Sequence, residues 1–189
     1  MTAMPAGESS QSPVRIRTLI AADLDAVIAI ERQIPEAPHW KTADYEALLQ
    51  PADAAPLCYI TFAAEAGGQL IGFAAARLLL DGEQNICELE SIAVLASARR
   101  TGAGSSLLQA VTERAQALGG RRLQLEVRAG NTTAIAFYEH AGLLREGVRP
   151  RYYAAPEEDA LLMGREIRPL PGAVEKSPKI GLKEKPPRC

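Results

Sequence analysis

The stretch from Glu88 to Leu118, ELESIAVLASARRTGAGSSLLQAVTERAQAL, changes its periodicity once. Glu88 to Val94 reads as a β-strand. Arg99-Arg100-Thr101-Gly102-Ala103-Gly104 reads as a short basic loop, and Leu107, Leu108, Val111, Ala115 and Leu118 then fall on one face of a helix. Gly119-Gly120 ends that helix, and Arg122-Leu123-Gln124-Leu125-Glu126-Val127 follows as a strand. A strand, a crossover helix and a second strand commit this part of the chain to a parallel pair under the helix. The loop between them can turn several backbone N–H groups toward one point at the positive end of a helix dipole. Its glycines let a ligand approach closely and permit φ > 0. An anion is the natural occupant, a phosphate or pyrophosphate above all.

What precedes the loop restricts the topology further. Val14 to Leu19 alternates as a half-buried strand, and Asp23 is placed to cap a helix over Leu24–Gln33 with Leu24, Val27, Ile28 and Ile34 as its apolar stripe. Pro35 and Pro38 break the chain, and Thr42 is placed to cap a short helix ending near Gln50. Cys58–Glu65 and Gln69–Leu80, joined by Ala66-Gly67-Gly68, predict a hairpin, and Asp81-Gly82 a further turn into Asn85–Val94. Three antiparallel strands therefore lead into the loop. Beyond it, Asn131 and Gly142 bracket a helix in which Asn131 and Tyr138 share a side. Leu143–Val148 predicts a strand, Arg149–Glu157 a loop carrying Tyr152 and Tyr153, and Ala160–Ile167 the last strand.

Composition excludes several classes. The 189 residues carry 47% hydrophobic and 23% charged residues, as expected for one globular domain. The net charge of −2 gives no nucleic-acid footprint. Residues 1–13 read as a disordered extension without a secretory pattern, and 168–189 as a basic, Pro/Lys-rich disordered tail. That tail carries +4, which leaves −6 on residues 1–167. The longest apolar run, Leu70–Leu80, is too short for a bilayer and contains Arg77, so no membrane span is expected and the location predicted is cytoplasmic. Cys58, Cys87 and Cys189 suit neither a disulfide framework nor a metal, and the first two read as small buried hydrophobes. His39 and His140 carry no partner signature. Trp40 reads as core packing or as a substrate contact.

There is no GxxxxGK[ST]. A dinucleotide fingerprint fits badly, because Leu107 stands where the third glycine would be and seven residues separate the strand from Gly102. Instead, Ser91-Ile92-Ala93-Val94 followed by Arg99-x-x-Gly102-x-Gly104 resembles the acetyl-CoA loop of the GCN5-related N-acetyltransferases (GNAT). Leu125-Glu126-Val127-Arg128-Ala129-Gly130-Asn131, Ala134-Ile135-Ala136-Phe137-Tyr138-Glu139, Arg151-Tyr152-Tyr153 and Glu158-Asp159-Ala160 resemble the ribosomal-protein alanine N-acetyltransferases (RimI type) within it. The resemblance covers residues 14–167. It implies an α/β (α+β) fold with a mixed, mostly antiparallel, V-splayed sheet of six or seven strands and helices on both faces. Acetyl-CoA would enter where the strand ending at Val94 leaves that containing Glu126.

The resemblance also implies roles. The amides of Arg100, Thr101, Gly102, Ala103, Gly104 and Ser105 would cradle the pyrophosphate, with Arg99 or Arg100 adding charge. Amides of Ile92, Ala93 and Val94 would hold the pantetheine, and Asn131 would contact the cosubstrate. Glu126 would be the general base and Tyr138 the general acid, with no metal and no nucleophilic cysteine. Glu88 and Glu90 are competing bases or lining for the acceptor channel. Tyr152 and Tyr153 either shape the acceptor entrance or pack beneath it. A free α-amine has a pKa near 8 and a lysine near 10.4, so roughly a tenth of the former and under roughly a thousandth of the latter is neutral at pH 7. One carboxylate base suits a protein N-terminus, with ribosomal protein S18 as a candidate partner. A small amine, or acyl-CoA binding without catalysis, are the other readings.

Overall fold

The computed structural model describes residues 12–34, 37, 40, 42–49 and 57–168. The expected extension 1–13 falls almost wholly outside them, and the basic tail does so beyond Arg168. Pro35, Pro38, His39 and Cys189 also lie outside the described residues.

The chain runs β1 (Arg15–Thr18), α1 (Leu24–Glu31), α2 (Thr42–Ala47), β2 (Leu57–Ala66), β3 (Gln69–Leu79), β4 (Ile86–Val94), α3 (Ala103–Ala117), β5 (Arg122–Arg128), α4 (Thr132–His140), β6 (Leu144–Ala154) and β7 (Glu157–Glu166). The strands form one open seven-stranded sheet in the order β1-β2-β3-β4-β5-β7-β6. Only β4 and β5 are parallel neighbours; the crossover through α3 dictates it. The sheet is thus mixed and mostly antiparallel, with seven strands, as the sequence predicts. Gly67 and Gly68, both at positive φ, make the two-residue turn between β2 and β3.

Two apolar layers sandwich the sheet. On one face Leu107, Leu108, Val111 and Ala115 of α3 and Ile135 of α4 pack on Leu78, Cys87, Leu123, Leu125 and Met163. On the other, Val27 and Ile30 of α1, Tyr45 of α2 and Leu48 just after it pack on Ala63, Phe73, Ala75 and Ala93. Cys58 and Cys87 are buried in strands, and burial pushes the Cys87 thiol up to about 12. Among the described residues no helix is long and apolar enough to cross a membrane.

Two features of the sheet position the site. Pairing of β4 with β5 runs only from Ile86↔Arg122 to Leu89↔Leu125. Above that level β4 stays with β3 and β5 with β7, so the sheet splits into a V. At the fork, Leu89 faces Ala76 and Ser91 faces Ala75, which leaves Glu90 as a β-bulge. The bulge reverses the alternation of β4: Leu89 and then Ile92 and Val94 pack with the α3 layer, while Ala93 joins the α1 layer.

Three local expectations need correction. Asp23 precedes α1 without capping it; its carboxylate accepts from Ile20 N–H at 2.8 Å and from Arg17 Nη1 and Nη2 at 2.6 and 2.7 Å. The ion pair with Arg17 and the bond from Ile20 N–H take the place of the cap. Thr42 is already inside α2 rather than before it. Arg149–Glu157 is mostly strand: β6 continues to Ala154 and β7 begins at Glu157. Pro150 and the positive φ of Arg151 mimic a loop because β6 carries two extra residues between Arg149↔Ala160 and Tyr153↔Glu158. Asp159 Oδ1 fastens that bulge by accepting from Arg151 N–H at 2.8 Å.

Candidate active site

A cleft of ≈ 450 Å³ opens on the α1 side of the fork. It gathers Trp40, Glu88, Glu90, Glu126, Tyr152 and Tyr153, every acceptor-side residue the sequence singled out together with the expected base. Asp44 of α2, Tyr59 of β2 and Arg77 of β3 join them without having been anticipated as site residues. Trp40 packs edge-on against Tyr45, with ring centroids 5.7 Å apart, and also faces the cleft, so its core and site readings both hold geometrically.

Arg77 bridges the two glutamates of β4, with Nη2 2.6 Å from Glu88 Oε2 and Nε 3.3 Å from Glu90 Oε1. Burial raises the Glu90 carboxyl above its ordinary range; Arg77 opposes the rise, and Glu88 and Asp44 add to it. Arg77 stood in the sequence as one charge inside the Leu70–Leu80 apolar run. That was its signal: a charge on a buried strand needs a partner.

Glu126 is held differently. Its side chain is 13% exposed, and its Oε1 lies 2.6 Å from Arg149 Nη1. Tyr152 lies beside the same carboxylate, and Glu126 first, with burial, pushes its phenol up to about 12. Glu126 is therefore no freely solvated strand residue. Arg149 also escaped the sequence reading, because its partner lies two strands away through β7.

The fork connects this cleft to the opposite face. Tyr138 of α4 is 8% exposed, and burial, with a lesser contribution from Tyr153, drives its phenol well above the ordinary tyrosine value. Tyr153 in turn feels burial first and Glu126 next. Tyr153 is thus the electrostatic neighbour common to Tyr138 and Glu126. At neutral pH Tyr138 is a protonated donor.

The glycine loop stands at the top of the fork. Gly102 is the N-cap of α3 at φ 88°, with no side-chain cap, and Arg100 also has positive φ. The first bond within α3 runs from Ser106 N–H to the Gly102 carbonyl at 2.9 Å. The amides of Ala103, Gly104 and Ser105 therefore have no helical acceptor. Arg99, Arg100, Thr101 and Ser105 are exposed. Leu95 donates its N–H to Ile71 of β3 at 2.9 Å, so strand alternation turns the Ile92 and Val94 amides into the gap. A second groove, ≈ 470 Å³, runs from Ser105 between α3 and α4 past Leu108, Thr112, Phe137 and Arg165.

Arg128, the arginine that follows Glu126-Val127, fixes the rim. Its guanidinium lies 4.1 Å from the centroid of the Tyr153 ring, pairs with Glu158 at 3.0 Å and donates to the Ala155 and Pro156 carbonyls. Glu158 also accepts from Gly130 N–H at 2.6 Å. The β6–β7 tip is thereby tied to the turn that launches α4. Asn131 caps α4 by accepting from Ala134 N–H at 3.1 Å.

The sequence profile of the acetyltransferase (GNAT) family matches residues 24–143. The chain belongs to this family. GNAT membership makes it an acyltransferase and accounts for the open, forked sheet. It is 30% identical over 148 residues to a putative [ribosomal protein bS18]-alanine N-acetyltransferase of Bacillus subtilis, covering 78% of this chain and 92% of that protein. It is 35% identical over 161 residues to an uncharacterised Mycobacterium leprae protein, covering 85% of this chain but only 43% of that longer protein. Among solved structures, the ribosomal-protein-S18-alanine N-acetyltransferase of Escherichia coli superposes with a TM-score of 0.70 at 29% identity, covering 85% of this chain and 97% of the other.

Proposed function

We propose that this GNAT enzyme moves the acetyl group of acetyl-CoA to a protein N-terminal α-amine, with an S18-type alanine terminus as its acceptor. The fork between β4 and β5 carries the reading, because it joins the uncapped α3 amides on one side to the Glu126 cleft on the other. Uncapped amides, two arginines and a glycine at positive φ make a cradle suited to a pyrophosphate. The groove beginning at Ser105 continues from that cradle and offers room for the nucleotide end. Ile92, Ala93 and Val94 would hold the pantetheine, with Asn131 beside it.

When bound, acetyl-CoA supplies an activated acyl carbon and a thiolate leaving group. Glu126 takes a proton from the acceptor ammonium, so that the amine nitrogen carries a free pair. The amine would form its bond to the acyl carbon as the carbon–sulfur bond breaks, and the Ile92 and Val94 amides would stabilise the charge developing on the carbonyl oxygen. Tyr138, kept protonated by burial, gives its proton to the departing sulfur. Glu88 and Glu90 are already bridged by Arg77, which favours a role in lining the acceptor channel over that of base. Trp40, Tyr152 and Tyr153 form the walls along which the peptide would lie. The names of the relatives support the acceptor, and acetylation of a ribosomal protein would place the enzyme in the cytoplasm.

The acidic lining of the cleft suits a small polyamine equally well by charge. The two acceptors separate in one assay. The protein is incubated with acetyl-CoA and either an S18 N-terminal peptide or spermidine, and free thiol is read. Turnover with the peptide and none with spermidine is expected. The reverse would overturn the acceptor, and acetyl-CoA binding without turnover on either would overturn both acceptors.

A further inference from the structure

A general base needs a free lone pair, yet Glu126 Oε1 faces a donor from β6, the Arg149 guanidinium at 2.6 Å. We propose that Arg149 is an exchangeable counter-ion, occupying in the substrate-free enzyme the place that the acceptor's ammonium takes when it enters. This rests on the reading of Glu126 as the base.

Three observations support exchange over a permanent clamp. The Arg149 side chain is 54% exposed against 13% for Glu126, so solvent receives the arginine readily while the carboxylate stays behind. An ion pair so exposed on one side is weak. Arg149 also stands at the start of the two-residue bulge of β6, where the ladder to β7 lapses until Tyr153. Its guanidinium lies 5.6 Å from the Tyr152 ring centroid, so Tyr152 offers it a face on which to withdraw. Guanidinium and ammonium carry the same charge, and only one fits against Glu126 Oε1 at a time.

The other charged and titratable groups around Glu126 do not replace Arg149. On β4 and β3, Glu88, Glu90 and Arg77 are engaged with one another. Arg128, on the strand of Glu126 itself, is committed to Glu158 and the Tyr153 ring. Asp44 of α2 repels a carboxylate, and Tyr59 and Tyr153 supply no cation. Arg149 is therefore the cation paired with Glu126 before an acceptor arrives. Its exchange delivers the ammonium to the base and leaves an acceptor without a cation unable to compete.

The experiment is steady-state acetylation of the S18 N-terminal peptide from pH 4.5 to 9 with saturating acetyl-CoA. It compares wild type, Arg149→Gln, Arg149→Lys and Glu126→Gln, with thermal unfolding as the check on folding. Arg149→Gln should lower the peptide KM by about two- to tenfold, because the competitor is gone. The peptide kcat should change little, because the amine itself takes the place of the guanidinium. Arg149→Lys should restore the wild-type KM. A peptide KM that is unchanged or raised, while Glu126→Gln is inactive, overturns the counter-ion role alone. Full activity of Glu126→Gln overturns the base assignment and the proposal with it.

Discussion

The residues proposed as base and acid lie in different surroundings. Glu126 sits at the cleft side of the fork beside a cation, whereas Tyr138 lies among apolar side chains of α4 and the sheet. Replacing the base by an isosteric amide or the acid by a ring without its hydroxyl should each slow turnover by about 10²-fold or more. Glu126→Gln and Tyr138→Phe, measured under saturating acetyl-CoA with the peptide, check this; a normal rate for Glu126→Gln and loss for Glu90→Gln would move the base to β4. A residue far from the site provides a test of stability. Asp23 is held below the usual carboxylate range, first by Arg17 and then, against the cost of burial, by Ile20 N–H. A lowered folded pKa stabilises above the unfolded value near 3.9 and ceases to do so as pH falls through the folded one. Asp23→Asn should therefore cost about 1–3 kcal/mol at pH 7. The gap from wild type in urea midpoint should shrink below about pH 4.

At the scale of elements, β4 does most to build the site, and its neighbours are shaped to let it. Gly72 of β3 faces the upper end of β4, where a Cβ would lie 2.6 Å from the Ala93 carbonyl. That atom is backbone and cannot swing away. Gly72→Ala should displace the Ile92–Val94 segment at a cost of about 1–3 kcal/mol. The acetyl-CoA KM should rise while the peptide KM changes little, which steady-state kinetics with each substrate varied in turn would show. The β6–β7 hairpin shows how an element can be hidden in sequence. Pro150, the Arg151 turn and Ala155-Pro156 look like loop composition, and the strand exists because Asp159 and Arg128 supply bonds from elsewhere. Asn131, Gly142, Gly67-Gly68 and the α3 stripe were legible because their partners are within a few residues or repeat with a fixed period.

Over the whole molecule, α3 holds the layer beneath the glycine loop, and its Leu107 is fully buried. Leu107→Ala should destabilise by about 2–5 kcal/mol. Saturation with acetyl-CoA at 100 times its Kd should return about 2.7 kcal/mol, visible as a rise in Tm in the same thermal scan. The sequence alone determined the order of strands and helices, the parallel crossover at α3 and the glycine turn before it, and through its resemblance it offered Glu126 and Tyr138 as candidates. Those features come from local chemistry: turn glycines, caps, alternation and the 3.6-residue period are set by neighbours along the chain. Only the tertiary structure decided that the β4 bulge falls at Glu90, that Arg77 binds Glu88 and Glu90, and that Arg149 covers Glu126. Each of these depends on side chains or strands far apart in sequence, whose distance and burial arise from packing.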